Sequence, residues 1–545
     1  MATPPDDVSI DSREMTVRRA AAMSGGTLLS RLTGLIRVSV TLAALGLTGL
    51  SDVYAAANTT PNIVYELIVG GILTSVLVPV LIDRSLDDGE RWATASRILT
   101  FTVVVLAVGA AAAMLFAPVV MRLYLAGLPD GPDRDRALSL GVVFLRWFMP
   151  QMVFYGVTAV ASGILTTERR FTAQMLAPVL NNLAVIVTMV VFIVARDGAS
   201  PAIDDLTSGQ RTVLGAGTTL GVIAMALALW PALRRAGFRW RPRFDWSHRS
   251  IAMLWRLGGW VVVYVAANQL TYLVIISLNA DVGPGTYTAY SQAFIFFSLP
   301  HAIVAVSVVT ALLPGMAERW NAGDAAGVRD LFSRGFRDTQ VAMLPAAAGY
   351  VALAAPIVGL LAAYGAVETT GQRFLAEALA GFAIGLPFFS AYQLLTRTFY
   401  ATRDSRTPAL TNIGVGVVNL LAAVWFTRGL DLGVFGLALA HAVSYAAGAS
   451  TLFWLIGARL GGADTRHIAA TLGRCLVAAT ISGVVAFGVS EGVAGLVATG
   501  RPAGRAVQVT VGVVVGVLVF VGASLMMRVR EVDEVREALR MRFRR

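Results

Sequence analysis

Residues 173–195 read AQMLAPVLNNLAVIVTMVVFIVA, without one charged side chain, between Glu168-Arg169-Arg170 and Arg196-Asp197. A helix rises about 1.5 Å per residue, so this segment would measure roughly 35 Å, enough to cross a hydrocarbon core of about 30 Å. Apolar runs of similar length recur along the chain, at 26–49, 61–82, 98–121, 139–165, 212–233, 251–278, 287–314, 338–363, 375–399, 408–426, 432–457, 467–490 and 505–527. With 173–195 these make about fourteen spans. In lipid every backbone N–H and C=O must be satisfied within the structure, and for runs of this length that means α-helices. The expected fold is therefore an all-α polytopic membrane protein.

Composition agrees. Of 545 residues 56% are hydrophobic and only 14% are charged, against about a quarter in soluble domains. The mean hydropathy is +0.69. The polar first 25 residues lead into a full-length span without a cleavage site, which reads as a first span and not as a signal peptide. The single Cys475 excludes an intrachain disulfide and a cysteine-rich zinc site.

The net charge of +11 comes from 44 basic residues, all of them arginine. Without lysine there is no P-loop lysine, Schiff base or pyridoxal phosphate attachment. Assigned to the gaps between spans, 29 arginines fall on the side of the two termini and nine on the other, with six inside spans. The nine are Arg122, Arg134, Arg136, Arg196, Arg211, Arg373, Arg428, Arg501 and Arg505. The positive-inside rule makes both termini cytoplasmic, and the basic excess becomes a topology signal instead of a nucleic-acid signature. The tail 528–545, RVREVDEVREALRMRFRR, reads as a basic amphipathic helix at the cytoplasmic surface. The loop 234–249 mixes arginine with Trp240, Phe244 and Trp246, a composition suited to the membrane interface.

A faint internal repeat runs through the chain. Thr167-Glu168-Arg169-Arg170 precedes a span with Asn181-Asn182, and Thr402-Arg403-Asp404-Ser405-Arg406 precedes one with Asn412 and Asn419. Ser30-Arg31-Leu32-Thr33-Gly34 likewise parallels Trp255-Arg256-Leu257-Gly258-Gly259. Six spans separate the partners, so both halves would enter the membrane in the same orientation, a parallel repeat. The implied organisation is a cytoplasmic segment 1–25, a first six-span lobe 26–233, a basic linker 234–250, a second lobe 251–457, two further spans within 458–527, and the tail 528–545.

Charges within spans are expensive and mark functional candidates. Arg31 and Arg37 share span one, about 120° apart around the helix and about 9 Å along it, so both could line one aqueous wall. Arg37 is near mid-span, whereas Arg31 is close enough to the cytoplasmic end to snorkel. Asp52 follows span one and Glu66 is in span two; either could pair with these arginines. Arg146 lies in span four, and Arg256 near the start of span seven, where snorkelling competes with a cavity role. Arg397 and Arg474 read as snorkelling residues, and His301 and His441 as packing histidines. Enzyme signatures such as HExxH, GxSxG and Walker motifs are missing, and no loop is long enough for a soluble catalytic domain.

Ser30-Arg31-Leu32-Thr33-Gly34-Leu35-Ile36-Arg37, then Ser51-Asp52-Val53-Tyr54, Pro61-Asn62 and Val78-Pro79-Val80-Leu81, resembles the opening of the MurJ (MviN) family of lipid II flippases. The resemblance continues at Leu312-Leu313-Pro314 and at Phe399-Tyr400-Ala401-Thr402-Arg403-Asp404 before Thr407-Pro408, covering nearly the whole chain. It implies two six-helix lobes around a central cavity, in the superfamily that includes the MATE exporters, plus two C-terminal helices. It also implies translocation of lipid II, the undecaprenyl-pyrophosphate-linked peptidoglycan precursor, by alternating access across the bacterial cytoplasmic membrane. The motif carries the substrate-binding role to Arg31, Arg37 and Asp52. Three family positions depart: Gly70-Gly71 stands for a Glu-Gly pair, Tyr65 for an arginine, and Ile295 for an arginine in span eight. Arg256, which the repeat places opposite Arg31, or Arg146 would compensate.

The expected protein is a non-enzymatic transporter without a cofactor, coupled to sodium or a proton if to any ion. Its partners would be lipid II, membrane lipids and cell-wall synthesis proteins, with no nucleic acid and a monomeric state. Alternative readings are a flippase for another polyprenyl-linked oligosaccharide, a cation-coupled exporter of the same superfamily, a membrane-embedded glycosyltransferase, and a pseudo-transporter scaffold. An exporter of organic cations would favour cavity acids, and a glycosyltransferase would need loop carboxylates; Asp87, Asp88, Asp204 and Asp205 lie in plain loops.

Overall fold

The computed structural model describes residues 26, 29–67, 88–168, 170–197, 202–203, 205–245, 270–361, 367–462, 464–497 and 501–543. Among these, every regular element is a helix. Among the described residues eleven helices are long and apolar enough to cross a membrane, and each overlies one of the expected spans. The expected span 26–49 appears as a helix over 29–45, here α1. The expected spans 61–82 and 251–278 are only partly within the described residues. The chain divides into two compact units, Met1–Ser277 and Leu278–Arg545.

In the first unit α1 is followed by α2 (Gly49–Leu67), α3 (Asp88–Leu115), α4 (Ala117–Tyr124), α5 (Pro132–Phe148), α6 (Gln151–Thr167), α7 (Phe171–Ala195), α8 (Ser208–Ala228) and α9 (Trp230–Arg235). α1 ends at Gly46, whose φ of 67° is the left-handed conformation that closes a helix at low cost in glycine. α5 and α6 are separated at Pro150, which cannot donate to the helix ladder. The core gathers Ile98 and Leu99 of α3, Ile164 of α6, Val222 of α8, and Leu229 and Phe238.

The second unit begins within the helix Leu270–Val282, α10. It continues with α11 (Thr286–Pro300), a π-helical turn His301–Ala305, α12 (Val306–Asn321), α13 (Ala325–Leu361), α14 (Thr369–Ala401), α15 (Arg406–Val424), a second π turn Trp425–Gly429, α16 (Gly433–Arg459), α17 (Thr465–Ala494), α18 (Pro502–Met526) and α19 (Arg530–Phe543). α14 and α16 pack most closely. A Cβ on Gly381 would lie 2.8 Å from that of Ala438, and one on Gly385 2.8 Å from Cα of Ala442. Glycines four residues apart facing alanines four residues apart let two backbones approach, which is how helices associate where lipid removes the hydrophobic drive.

Several helices outrun the apolar runs. α3 begins at Asp88, not near residue 98, and α13 at Ala325, not near 338. Hydropathy reports where lipid begins, whereas the backbone hydrogen-bond ladder continues past it into water. Large apolar side chains remain exposed on the helix surfaces, among them Leu115 (73%), Val194 (73%), Trp454 (72%) and Met526 (87%). Water would not tolerate so many; a bilayer covers them.

A candidate substrate-facing helix and its polar surroundings

Two arginines stand on α1. Arg31 is exposed and Arg37 half-buried, and neither is paired with a carboxylate among the described residues. The guanidinium of Arg37 interacts electrostatically with Tyr54 of α2. Asp52 is half-buried in the first turn of α2, and its N–H donates to the Thr48 carbonyl at 3.1 Å. The side chains of Tyr65 and Glu66, together with Gly70, Gly71 and Arg256, lie outside the described residues. The pairing of Arg256 with Arg31 across the repeat therefore stays an expectation.

The motif residues that accompany Arg31 and Arg37 mainly build the frame. The Ser51 hydroxyl accepts the Thr48 N–H at 3.0 Å and donates to the Thr48 carbonyl at 2.8 Å, which folds the α1–α2 turn and starts α2. Asn62 of the Pro-Asn pair accepts the Tyr155 hydroxyl at 2.8 Å and so ties α2 to α6. Tyr54 and Thr218 share a buried 2.6 Å hydrogen bond between α2 and α8. Gln151 donates to Thr219 at 3.1 Å, and Thr219 in turn to the Trp147 carbonyl at 2.7 Å. In a lipid-embedded bundle such pairs fix helix register, because each group would otherwise be left unsatisfied in an apolar medium.

Asn182 of α7 and Arg196, which caps the C-terminal end of α7, hold α1 itself. The Asn182 amide donates to the Ser30 carbonyl at 3.2 Å and to the Thr33 hydroxyl at 3.0 Å. Arg196 donates to the carbonyls of Ala44 at 2.9 Å and Ala43 at 3.3 Å. These carbonyls close α1 and have no acceptor role inside it, and a cation there also meets the negative end of the helix dipole. The sequence presented Asn182 only as part of a repeat and Arg196 only as an outer-side arginine.

Arg146 is exposed, with Nε 3.5 Å from the Met114 carbonyl near the end of α3. Its role as a compensating substrate cation stays an expectation. In the second unit the wall around Ile295 is apolar, as its Phe294-Ile295-Phe296-Phe297 sequence implies. Phe294 and Phe297 of α11 pack on Phe382 and Phe389 of α14 and on His441 of α16, with ring centroids 5.4–6.5 Å apart. His441 is buried in this cluster as a packing histidine, and the His301 ring nitrogen Nδ1 is 3.0 Å from the Ser390 hydroxyl. Arg397 is exposed, and Arg474 is exposed and donates to the Arg528 carbonyl at 3.1 Å.

The motif ending in Asp404 has a structural role. Arg403 adopts φ 59°, and Asp404 accepts the Thr407 N–H at 3.0 Å and the Thr407 hydroxyl at 2.9 Å. Arg459 at the end of α16 donates to Asp404 at 3.1 Å and to the Thr402 carbonyl at 3.0 Å. The Thr407 N–H and the neighbouring Arg459 hold the Asp404 carboxyl below its usual range. In the first unit Glu168 pairs with Arg91 at 3.1 Å, so each unit fastens this turn with an acid–arginine pair.

Two expected surface segments are docked. Phe238 is buried against Trp92, the Trp240 indole N–H donates to Thr100 at 3.2 Å, and Arg97 pairs with Asp245 at 3.5 Å. The stretch 238–245 is thus tied to α3 at Phe238, Trp240 and Asp245, while Phe244 stays exposed. In the tail, Glu531 of α19 meets Arg337 of α13 at 2.6 Å, and Val529 and Val532 cover Cys475. The tail is helical as expected, and its first turn is docked on protein.

A cavity of about 940 Å³ lies between α13, α14 and α17, lined by Leu344, Ala348, Ile384, Phe388, Leu476 and Phe487 among others. Its walls are almost wholly apolar, so it offers nothing to a charged head group. No cluster of three or more His, Cys, Asp or Glu residues able to hold a metal ion occurs among the described residues.

The sequence profile described as "Lipid II flippase MurJ" matches residues 42–502. The probable lipid II flippase MurJ of Thermotoga maritima is 26% identical over 434 residues, covering 79% of this chain and 84% of the relative. A solved structure of lipid II flippase MurJ, in an inward closed conformation, superposes with a TM-score of 0.73 at 19% identity, covering 93% of this chain and 98% of that one. An inward-facing MATE family multidrug transporter of the MOP superfamily gives a TM-score of 0.63 at 14% identity, covering 79% and 94%. At these identities the structures establish a shared helical fold. With the profile spanning most of the chain, and helices of membrane-crossing length along both units, this protein is a multi-pass membrane transporter of the lipid II flippase MurJ family.

Proposed function

We propose that this chain moves lipid II from the inner to the outer leaflet of the bacterial cytoplasmic membrane by alternating access. The observation that carries the reading is the match to the flippase family over residues 42–502, which takes in the last four residues of α1. A diphosphate carries two to three negative charges, and the planar guanidinium forks of arginine fit its oxygens better than the point charge of lysine. Arg31 and Arg37 of α1 are the proposed contacts for that head group, with Asp52 at the start of α2 as a further substrate-binding residue and Arg256 as a second-half contact. The polyprenyl tail stays in lipid, and the substrate undergoes no chemistry. Both termini are proposed to face the cytoplasm, with six-span lobes at 26–233 and 251–457. The protein acts as a monomer without a cofactor and associates with cell-wall synthesis proteins.

The test is depletion of the native flippase in a bacterial host, with rescue by this chain and assay of the leaflet in which lipid II accumulates. The wild-type chain should restore outward movement, Arg37→Ala should not despite normal membrane levels, and Arg37→Lys should restore part. A wild-type chain that reaches the membrane yet leaves lipid II inside would refute the substrate. Full rescue by Arg37→Ala would remove Arg37 from the binding site.

A further inference from the structure

α1 and α7 are held together at two points with matched spacing. At one end Asn182 meets Ser30 and Thr33; at the other Arg196 meets Ala43 and Ala44. Fourteen positions separate Ser30 from Ala44, and fourteen separate Asn182 from Arg196. At about 1.5 Å per residue both intervals are roughly 21 Å, so the two helices run side by side in register over that length. Arg37 is midway, seven positions from each end. Seven residues turn a helix to within about 20° of its starting direction, so Ser30, Arg37 and Ala44 form one stripe of α1. Met189, midway on α7, is buried completely, whereas Arg37 is only half-buried and its guanidinium interacts electrostatically with Tyr54 of α2, away from the α7 seam.

We propose that Asn182 and Arg196 are positioning residues for Arg37: α7 fixes the axial height and the rotation of α1, and so the place at which the Arg37 guanidinium meets the diphosphate. This rests on the reading of Arg37 as a substrate contact. One clamp alone would leave α1 free to rotate about that contact, and two separated clamps remove both rotation and sliding. A slip by one residue would turn Arg37 through about 100° and lift it about 1.5 Å. Both clamps use α1 carbonyls as acceptors, so no side-chain change in α1 removes the Arg196 contact. Asn182 also donates to the Thr33 hydroxyl, which makes that clamp adjustable from either helix.

The test is a double-mutant cycle on the full-length protein in nanodiscs, reading the Kd for a prenyl diphosphate in the parent, Asn182→Ala, Arg37→Ala and the double variant. Positioning predicts that Asn182→Ala weakens binding about tenfold in the parent and not at all once Arg37 is gone, since coupled residues fail to add. Spin labels at the exposed positions Leu32→Cys and Leu180→Cys, in a Cys475→Ala background, should give a narrow distance distribution that broadens with Asn182→Ala or Arg196→Ala. Thr33→Val, nearly isosteric, supplies a milder variant should Asn182→Ala fail to fold. Equal losses in both backgrounds, or an unchanged Kd with unchanged distances, would overturn the proposal and leave the clamps as ordinary packing. An Arg37→Ala protein that binds as well as the parent would instead overturn the reading of Arg37 as a ligand.

Discussion

Arg337→Ala should release the C-terminal helix without unfolding the bundle. Arg337 donates to Glu531 at 2.6 Å and to the Ser333 hydroxyl at 2.7 Å, and also lies 3.7 Å from Asp464. The side chains of Arg337 and Glu531 are 20% and 9% exposed, so the pair is largely desolvated. Removing one partner of such a pair strands the other charge, at a cost of about 3–5 kcal/mol when burial is deep. The residual exposure of Arg337 argues for the lower end, about 3 kcal/mol. α19 need not bear that cost, because it can swing Glu531 into water, giving up the contacts of Val529 and Val532 around Cys475 and the exposed Arg334–Glu534 pair. The open population should rise on the order of 10²-fold, since each 1.36 kcal/mol is a factor of ten. Cys475 is the only cysteine and is fully buried, so it reports the opening directly. Thiol labelling with a small maleimide should be very slow in the parent and about 10²-fold faster in Arg337→Ala, with Glu531→Gln intermediate because its amide still accepts from Arg337. An unchanged labelling rate in a properly folded Arg337→Ala protein would show that the ion pair does not hold the tail.

Gly385→Val should lower thermal stability in detergent by about 1–3 kcal/mol, because its Cβ has no room against the Ala442 backbone; a melting point like the parent's would contradict the close α14–α16 approach. The Asp404 carboxyl is held below its usual pKa, chiefly by the Thr407 N–H. Its stabilisation is therefore complete above the ordinary carboxylate value of about 4 and is lost as pH falls through the lowered one. The melting-point gap between the parent and Asp404→Asn should accordingly be widest near neutrality and close on acidification; a gap that widens in acid would reverse the assignment. Reporter fusions within 234–249 and at Arg545 should report the cytoplasm, and a periplasmic signal from either would invert the topology.

Membrane class and most spans were legible from hydropathy, because lipid imposes a local rule that each apolar run must close its own backbone hydrogen bonds. Arg31 and Arg37 were legible for the same reason, since a charge within an apolar run stands out against its neighbours. The sequence also carried the family resemblance, through residues such as Ser51-Asp52 and Pro61-Asn62, without saying that they act largely by folding a turn and tying α2 to α6. Tertiary structure alone decided which helix holds α1. Asn182 and Ser30 are 152 positions apart, and no local pattern pairs an amide with a carbonyl at that distance. It also decided that Phe238 and Trp240 dock on α3 and that the first turn of α19 docks on α13, since an amphipathic segment has the same composition whichever apolar partner covers it. Hydropathy measures how strongly a side chain avoids water, and only the packed fold supplies the particular neighbour it meets instead.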